Sequence, residues 1–151
     1  MADLSIGDQA PSIDGLDQDG KKITLEEYRG KKVVLYFYPR DNTPGCTAEA
    51  CDLRDNYPAL QAKGYEIIGV SAGSQQSHQK FIGKHKLPFP LISDTERTVL
   101  QDYGAWGQKK LYGKSFLGII RMTFIIDEEG KIEDIIRKVR TKEHSRQIIK
   151  D

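Results

Sequence analysis

The sequence is poor in cysteine and has no long apolar run, and each shortage excludes a class of protein. Its 151 residues include only 2 cysteines, too few for the disulfide framework of a small secreted domain. No apolar run is long enough to span a bilayer, and the N-terminus lacks the basic and apolar regions of a signal peptide. We therefore expect a cytoplasmic protein with no membrane partner, in a compartment that keeps thiols reduced.

Charge imbalance and metal-ligand spacing are also lacking. The chain has 23 Lys and Arg against 22 Asp and Glu, so its net charge gives no reason to expect nucleic acid as a partner. The two cysteines and the histidines at 78, 85 and 144 contain no ligand pair at zinc spacing. No glycine-rich loop matches a phosphate or dinucleotide cradle. We expect neither a metal nor a bound cofactor.

What is present is an alternation of strands and helices, which predicts a single α/β domain over residues 1–151. Residues 32–38 and 65–71 are β-branched and apolar without polar alternation, which is typical of strands buried on both faces. Two helices are predicted after them. The first runs from 43 through 53, or on to about 60 with a kink at Pro58, and the second runs from about 74 to 85. This order favours parallel pairing of the two strands.

Turn residues predict the rest of the fold. We expect an N-terminal β-hairpin at 10–25 and a second hairpin with strands at 121–126 and 131–136. The segments between and after them are expected as a short strand at 87–93, a helix at 95–103 capped by Asp94, a surface loop at 104–118 and a helix from about 142. The lysines and aromatic residues of the 104–118 loop fit either a docking or lid surface or a mobile solvated loop.

Both cysteines lie where the first buried strand passes into a helix. Pro39 forces the chain out of the sheet after Tyr38. Thr43 and Pro44 are typical of the N-cap and first position of a helix. Cys46 then falls in the first turn, where backbone N–H groups are unpaired and the helix dipole is positive. These conditions favour a thiolate, the nucleophilic form of cysteine.

Cys51 follows Cys46 by five residues in the same predicted helix. On a regular helix this spacing gives about 7.5 Å of rise and roughly 140° of rotation. The Cα atoms are then more than about 8 Å apart, beyond the roughly 7 Å limit for a disulfide. A bond between the two sulfurs therefore requires the start of the helix to unwind.

The spacing Pro39-x-x-x-Thr43-x-x-Cys46 resembles the active-site motif of the peroxiredoxins. With Pro-Gly-Cys-Thr-x-Glu at 44–49 and Cys51, the chain is most similar to the peroxiredoxin Q group, also called bacterioferritin comigratory protein. The similarity covers most of the chain, through Gly69-Val-Ser71, His78 with Phe81, residues 87–94 and Arg121-x-Thr-Phe-Ile-Ile-Asp127.

The resemblance implies a thioredoxin-like fold, with a central mixed β-sheet flanked by helices, and a peroxidase that needs no cofactor. It makes Cys46 the peroxidatic cysteine and Cys51 the resolving cysteine. The implied supporting residues are Thr43, whose hydroxyl contacts the peroxide, Pro39, which shields the pocket, Arg121, whose guanidinium lies beside the sulfur, and Gly45 and Glu49, which support the substrate site and its loop.

Several of these residues also have a plain structural interpretation. Thr43 can serve only as an N-cap, Cys51 as a small buried apolar residue, and Glu49 as a solvated first-turn charge that favours the helix dipole. Arg121 can pair with Asp127 at a strand end.

Aromatic and histidine side chains near the junction are assigned structural positions. The aromatic run at 36–38 is expected in the core, where an alternate residue can line the pocket wall. His78 and His85 are interpreted as helix-surface residues rather than catalytic bases.

The favoured function is reduction of hydrogen peroxide and organic hydroperoxides through a Cys46 sulfenic acid and a Cys46–Cys51 disulfide. Thioredoxin or a similar dithiol protein is the expected reductant, and a monomer is expected, with a weak dimer as the alternative. Two other functions stay open: a thioredoxin-like disulfide reductase, although Cys-x-x-x-x-Cys is not its usual Cys-x-x-Cys motif, and a redox sensor whose oxidation alters a partner contact.

Overall fold

The computed structural model describes residues 4–149, with Leu111 described as backbone only. Its strands, in chain order, are β1 (Gly15–Leu16), β2 (Lys22–Ile23), β3 (Lys32–Phe37), β4 (Tyr65–Ser71), β5 (Leu91–Ser93), β6 (Trp106–Leu111), β7 (Lys114–Ile119), β8 (Met122–Ile126) and β9 (Ile132–Ile136). Its helices are α1 (Pro44–Asp55), α2 (Tyr57–Ala62), α3 (Gln75–His85), α4 (Thr98–Asp102) and α5 (His144–Ile148), with a 3₁₀ turn at Leu25–Tyr28. No helix among these residues is both long and apolar enough to cross a membrane.

A five-stranded sheet in the order β5-β4-β3-β8-β9 forms the centre of the fold. Strands β3, β4 and β5 pair in parallel, whereas β8 pairs antiparallel with both β3 and β9. The predicted parallel pairing, the burial of the 32–38 strand and the hairpin after residue 121 are thus confirmed. Because β3 has a neighbour on each side, the loop that follows it starts from the most restrained part of the sheet.

Successive residues of β3 face opposite sides of the sheet, and each side has its own core. Val34, Tyr36 and Tyr38 pack with α1 and with Ile148 of α5. Phe37, on the other side, packs among Tyr103, Phe124 and other apolar residues. The helix that carries both cysteines therefore lies on the face that Tyr36 and Tyr38 cover.

The N-terminal hairpin is confirmed, although β1 and β2 have only two residues each. The predicted helix at 43–60 is divided at Asn56 into α1 and α2, with Pro58 in the first turn of α2. The helix predicted at 95–103 begins only at Thr98, because Arg97 has a φ of 63° and Asp94 accepts a hydrogen bond from the Leu100 N–H instead of capping residue 95.

The surface loop predicted at 104–118 is wrong, because this segment forms the antiparallel hairpin β6–β7. Its turn has left-handed backbone at Tyr112 (φ 52°) and Gly113 (φ 79°), which is the geometry of a tight hairpin turn. Tyrosine rarely takes this conformation, so the residues at this position do not match the Asn-Gly or Asp-Gly pattern by which a tight hairpin turn is usually predicted from sequence. The expectation of a docking or lid surface, or of a mobile loop, is not tested by this finding.

Gly69 allows β4 to lie close to its neighbours. A Cβ at this position would lie 2.6 Å from Leu91 Cδ2 and 2.9 Å from the Tyr36 ring. We expect Gly69→Ala to lower the free energy of unfolding by about 1–3 kcal/mol through overpacking. Gly83 of α3 has open space around it, so Gly83→Ala should stabilise by about 0.5–1 kcal/mol. Urea unfolding of both variants measures the difference, and equal effects would contradict the close packing at β4.

Candidate active site

Cys46 is the third residue of α1 and is only 1% exposed. Pro44 occupies the first helical position, and the first helical bond runs from the Thr47 N–H to the Thr43 carbonyl at 2.8 Å. The predicted helix start is confirmed. The thiol therefore lies within the turn whose backbone N–H groups have no helical acceptor, where negative charge is favoured.

Arg121 brings a guanidinium to this thiol. Its Nη2 donates a hydrogen bond to Cys46 Sγ at 3.2 Å. Arg121 directly precedes β8, and the pairing of Met122 with Phe37 places it beside the loop that leaves β3. The predicted proximity of Arg121 to the junction is confirmed, and its interpretation as the partner of Asp127 finds no support, since its ion pair is with Glu49.

Glu49 is fully buried and bonds to the same guanidinium, with its Oε1 2.6 Å from Arg121 Nη1. Its interpretation as a solvated charge is wrong. Burial raises the pKa of Glu49 to about 7, against a lowering by the charge and hydrogen bond of Arg121. Cys46, Glu49, Ala50 and Leu53 are the buried residues of α1. Their spacing of three, four and seven is that of one helix face, and this signal could have predicted the burial.

Three side chains that the sequence did not indicate lie behind Glu49. His144 of α5 has its Nε2 3.5 Å from Glu49 Oε2 and 2.7 Å from the Thr123 hydroxyl oxygen. Its Nδ1 lies 2.8 Å from Gln147 Oε1. His144 and Thr123 are fully buried. No periodicity in the sequence places α5 over α1, so only tertiary structure reveals this contact.

The remaining residues of the loop have distinct environments. The Thr43 hydroxyl does not cap α1, because it donates to the Arg40 carbonyl at 2.9 Å. Pro39 is half-buried where the chain leaves the sheet. A Cβ on Gly45 would lie 3.3 Å from Arg121 Nη2, so the glycine leaves room for the guanidinium.

Asp41 anchors this loop to the rest of the fold. Its carboxylate accepts from the Tyr38 hydroxyl at 2.7 Å and the Ser77 hydroxyl at 2.8 Å, and lies 2.6 Å from His78 Nδ1. Burial raises the pKa of Asp41, but hydrogen bonds from His78, Tyr38 and Ser77 outweigh it and the pKa is lowered. The prediction that His78 lies on a helix surface is wrong, since it is fully buried.

Cys51 is half-buried and its thiol is free, as is that of Cys46. Its Sγ lies 3.8 Å from Nδ1 of His85, in the last turn of α3. Burial lowers the pKa of His85, with the nearby charges of Lys84 and Arg54 acting in the same direction. With α1 continuous from Pro44 to Asp55, the two thiols are held apart by the geometry that the sequence predicted.

Tyr36 is an alternate residue of the aromatic run that faces the site. Burial raises the pKa of its hydroxyl strongly, and the charges of Glu49 and Cys46 add to this effect. Within residues 4–149 the hydroxyl has no hydrogen-bond partner. Tyr36 and Cys46 lie in the same core cluster, so this hydroxyl is available to donate a hydrogen bond to an oxygen atom bound near the thiol.

The site combines a nucleophile with a fixed positive charge in a water-poor environment. A thiolate at a helix start can attack an electrophilic atom, and a guanidinium with several donors can stabilise the negative charge that develops on the departing group. No group of three or more His, Cys, Asp or Glu side chains in the described part of the chain is arranged to hold a metal ion. These features define the class of proteins with an arginine-activated cysteine nucleophile.

Comparison with known proteins places the chain in a single family. The model of the AhpC/TSA family matches residues 6–135. Peroxiredoxin Bcp of Bacillus subtilis is 45% identical, with 93% of this chain and 90% of the relative covered. The solved structure of Xylella fastidiosa PrxQ, a cysteine-to-serine mutant, has a TM-score of 0.90 at 29% identity, covering 98% and 94%. That of the bacterioferritin comigratory protein of Xanthomonas campestris has 0.87 at 34%, also covering 98% and 94%.

The chain belongs to the AhpC/TSA family and, within it, to the peroxiredoxin Q or Bcp group. Its fold is thioredoxin-like, as the resemblance implied. It is a thiol-dependent peroxidase, for which the family implies a peroxide substrate and a thiol reductant.

The buried carboxyl of Glu49 predicts a pH-dependent stability. Its pKa is raised by folding from 4.5 to about 7, so the folded state binds this proton more tightly than the unfolded state. The resulting stabilisation is complete below about pH 4.5 and is lost as pH rises through about 7. Relative to Glu49→Gln, the wild type should lose up to about 3 kcal/mol across this range. Urea unfolding at a series of pH values measures this difference, and a constant offset would contradict a shifted Glu49.

Proposed function

We propose that the chain reduces hydroperoxides by a two-cysteine cycle in which Cys46 attacks the substrate and Cys51 resolves the product. The observation that carries this proposal is the 3.2 Å hydrogen bond from Arg121 to the sulfur of Cys46, at the first turn of α1. The helix end and the guanidinium both stabilise a thiolate there.

In the first step, the Cys46 thiolate attacks the terminal oxygen of the hydroperoxide. An S–O bond forms, the O–O bond breaks, and the sulfur is oxidised to a sulfenic acid while the departing oxygen takes a proton to give an alcohol or water. Arg121 stabilises the charge on the departing oxygen. The Thr43 hydroxyl, whose hydrogen is donated to the Arg40 carbonyl, presents its oxygen to the peroxide as an acceptor. Pro39 shields the pocket and Gly45 leaves space for the guanidinium.

In the second step, Cys51 attacks the sulfenic sulfur. The new S–S bond replaces the S–O bond, and the hydroxyl leaves as water with the thiol proton. Because a regular helix keeps the two Cα atoms beyond disulfide distance, the segment from Thr43 to about Leu53 must unwind. Its unwinding breaks the contact between Cys51 and His85, which are 3.8 Å apart in the folded form.

In the third step, an external dithiol supplies two electrons and two protons and restores both thiols. We propose thioredoxin or a similar dithiol protein, because a disulfide in an unwound segment is accessible to a protein thiolate. The two sulfurs come from one helix, so the cycle needs no second subunit. A monomer is therefore the proposed form, with a weak dimer as the alternative. The proposed location is the cytoplasm, where thiols are kept reduced.

Hydrogen peroxide and small organic hydroperoxides are the proposed substrates. The Xanthomonas campestris bacterioferritin comigratory protein has alkyl peroxide reduction activity, and its similarity to this chain supports the organic substrates.

The roles of the two cysteines are tested by replacing each of them. Cys46→Ser removes the nucleophile and should abolish peroxide consumption, whereas Cys51→Ser should complete one turnover and then stop with a thioredoxin system. Stopped-flow measurement of peroxide consumption separates the two results. A full first turnover in Cys46→Ser would contradict the assignment of the nucleophile.

The same assay separates the competing functions. Slow stoichiometric oxidation of the wild type, without turnover, would favour a redox sensor. Turnover of protein disulfides in the absence of peroxide would favour a disulfide reductase.

Coupling between disulfide formation and unwinding is tested by amide hydrogen exchange. We expect the amides of α1 from Cys46 to about Leu53 to lose protection by about tenfold or more in the oxidised protein, because a disulfide cannot form across the intact helix. The amides of α3 serve as the control and should change little. Equal protection of α1 in the reduced and oxidised forms would contradict the coupling.

A further inference from the structure

Behind Arg121 lies a buried polar cluster that the proposed cycle does not use. It consists of Glu49, Thr123, His144 and Gln147, from α1, β8 and α5. The first three side chains are fully buried. Buried ionisable groups are costly unless they are paired, so their positions behind the guanidinium that bonds the sulfur require an explanation.

The hydrogen bonds of Gln147 fix the tautomer of His144. Gln147 Nε2 donates to the Lys138 carbonyl at 2.8 Å, and Gln147 Oε1 accepts from the Arg140 N–H at 2.8 Å. These two bonds set the orientation of the amide. Since Oε1 can only accept, the hydrogen between it and His144 must be on Nδ1.

The other ring nitrogen of His144 is then an acceptor. The Thr123 hydroxyl oxygen lies 2.7 Å from Nε2 and can donate to it. Burial lowers the pKa of His144, with partial opposition from Gln147 and Asp52, which favours this neutral form. Nε2 has a single lone pair, so it accepts either from the rotatable Thr123 hydroxyl or from a proton on Glu49, whose Oε2 is 3.5 Å away.

Glu49 Oε2 has no hydrogen-bond partner among residues 4–149. An ionised carboxylate therefore lies 3.5 Å from a nitrogen that has no hydrogen to donate to it, which is an arrangement of two acceptors. One proton held between them removes this conflict, and the pKa of about 7 that burial gives Glu49 makes it available near neutral pH. The proton belongs to the pair rather than to either residue.

We propose that His144 is a positioning residue for the attack on peroxide, because its contact with Glu49 sets how much of the Arg121 charge reaches the sulfur. Arg121 serves two anions, with Nη1 on Glu49 and Nη2 on Cys46. When the Glu49–His144 pair holds its proton, Glu49 is neutralised and the guanidinium stabilises the thiolate. When the proton is lost, the carboxylate competes for Arg121 and repels the thiolate. This inference rests on the proposed role of Cys46.

Other charged groups face the pair and act on its proton. Burial raises the pKa of Glu49, the charge and hydrogen bond of Arg121 lower it, and the nearby carboxylate of Asp52 in α1 raises it further. Burial raises the pKa of the Tyr36 hydroxyl in β3, and the charges of Glu49 and Cys46 raise it further. Asp52 is itself held by the backbone N–H of Ser145 at 2.8 Å. These groups stay in place in the variants below, so their contribution is common to all of them.

The test measures thiolate formation without peroxide, so its outcome is independent of turnover. In Cys51→Ser protein, Cys46 is the only thiol, and its ionisation is followed by ultraviolet absorbance over pH. His144→Gln replaces the acceptor by an amide donor that holds Glu49 ionised. We expect the midpoint of thiolate formation to rise by about one unit, as an added neighbouring anion produces, and the peroxide step to slow several-fold at neutral pH.

A double-mutant cycle separates this role from a structural one. Glu49→Gln cannot ionise, so adding His144→Gln to it should leave the midpoint unchanged. Arg146→Gln is the matched control, because Arg146 lies on α5 with an 83% exposed side chain. It should behave like the parent protein. An unchanged midpoint in His144→Gln, or the same rise in the Glu49→Gln background, would overturn the inference.

A second variant keeps the test decisive if His144→Gln does not fold. Gln147 is half-buried, and Gln147→Glu places a carboxylate on the Nδ1–H of His144 while it loses the bond to the Lys138 carbonyl. The pair then keeps its proton to higher pH, and the midpoint of thiolate formation should fall rather than rise. A rise or no change in this variant would also overturn the inference.

Discussion

The guanidinium of Arg121 is the group on which the active site depends, because it bonds two acidic side chains of α1 at once. Its two terminal nitrogens lie 3.2 Å from the sulfur of Cys46 and 2.6 Å from the carboxylate of Glu49. The planar fork of arginine allows both contacts from one side chain, which an ammonium could not reproduce with the same geometry. Since Arg121 directly precedes β8, which pairs with β3, the central sheet fixes the distance between the charge and the nucleophile.

Three residues of α1 are held by contacts with other parts of the fold. Glu49 is held by Arg121, Asp52 by the N–H of Ser145, and Cys51 lies against His85. All three fastened residues lie in or beside the stretch between the two cysteines. The loop before the helix is held separately, through the bonds of Asp41 to Ser77 of α3 and to Tyr38, which directly follows β3. Unwinding can therefore be confined to α1 while the loop keeps its place.

The local parts of this site were predictable, and the parts made by distant segments were not. Thr43 and Pro44 encode the helix start in neighbouring residues, so Cys46 could be placed from the sequence. Glu49 was misassigned although its three-residue spacing from Cys46 indicates the buried face. His144 could not be placed at all, because a five-residue helix has too little pattern to show what it packs against. The β6–β7 hairpin was missed for a local reason, the left-handed backbone of Tyr112.

The buried Arg121–Glu49 ion pair is suited to a contact that has to break in each catalytic cycle. Desolvation offsets most of the attraction between Arg121 and Glu49, so the pair contributes little net stability compared with apolar side chains of similar size. When α1 unwinds, the carboxylate regains its hydration, whereas an apolar residue at this position would expose surface to water. The ion pair thus specifies one folded geometry for the thiol, while the free-energy cost of unwinding α1 stays small. The unpaired oxygen of Glu49 adds a second influence on this ion pair. The proton shared with His144 determines how strongly Glu49 binds Arg121.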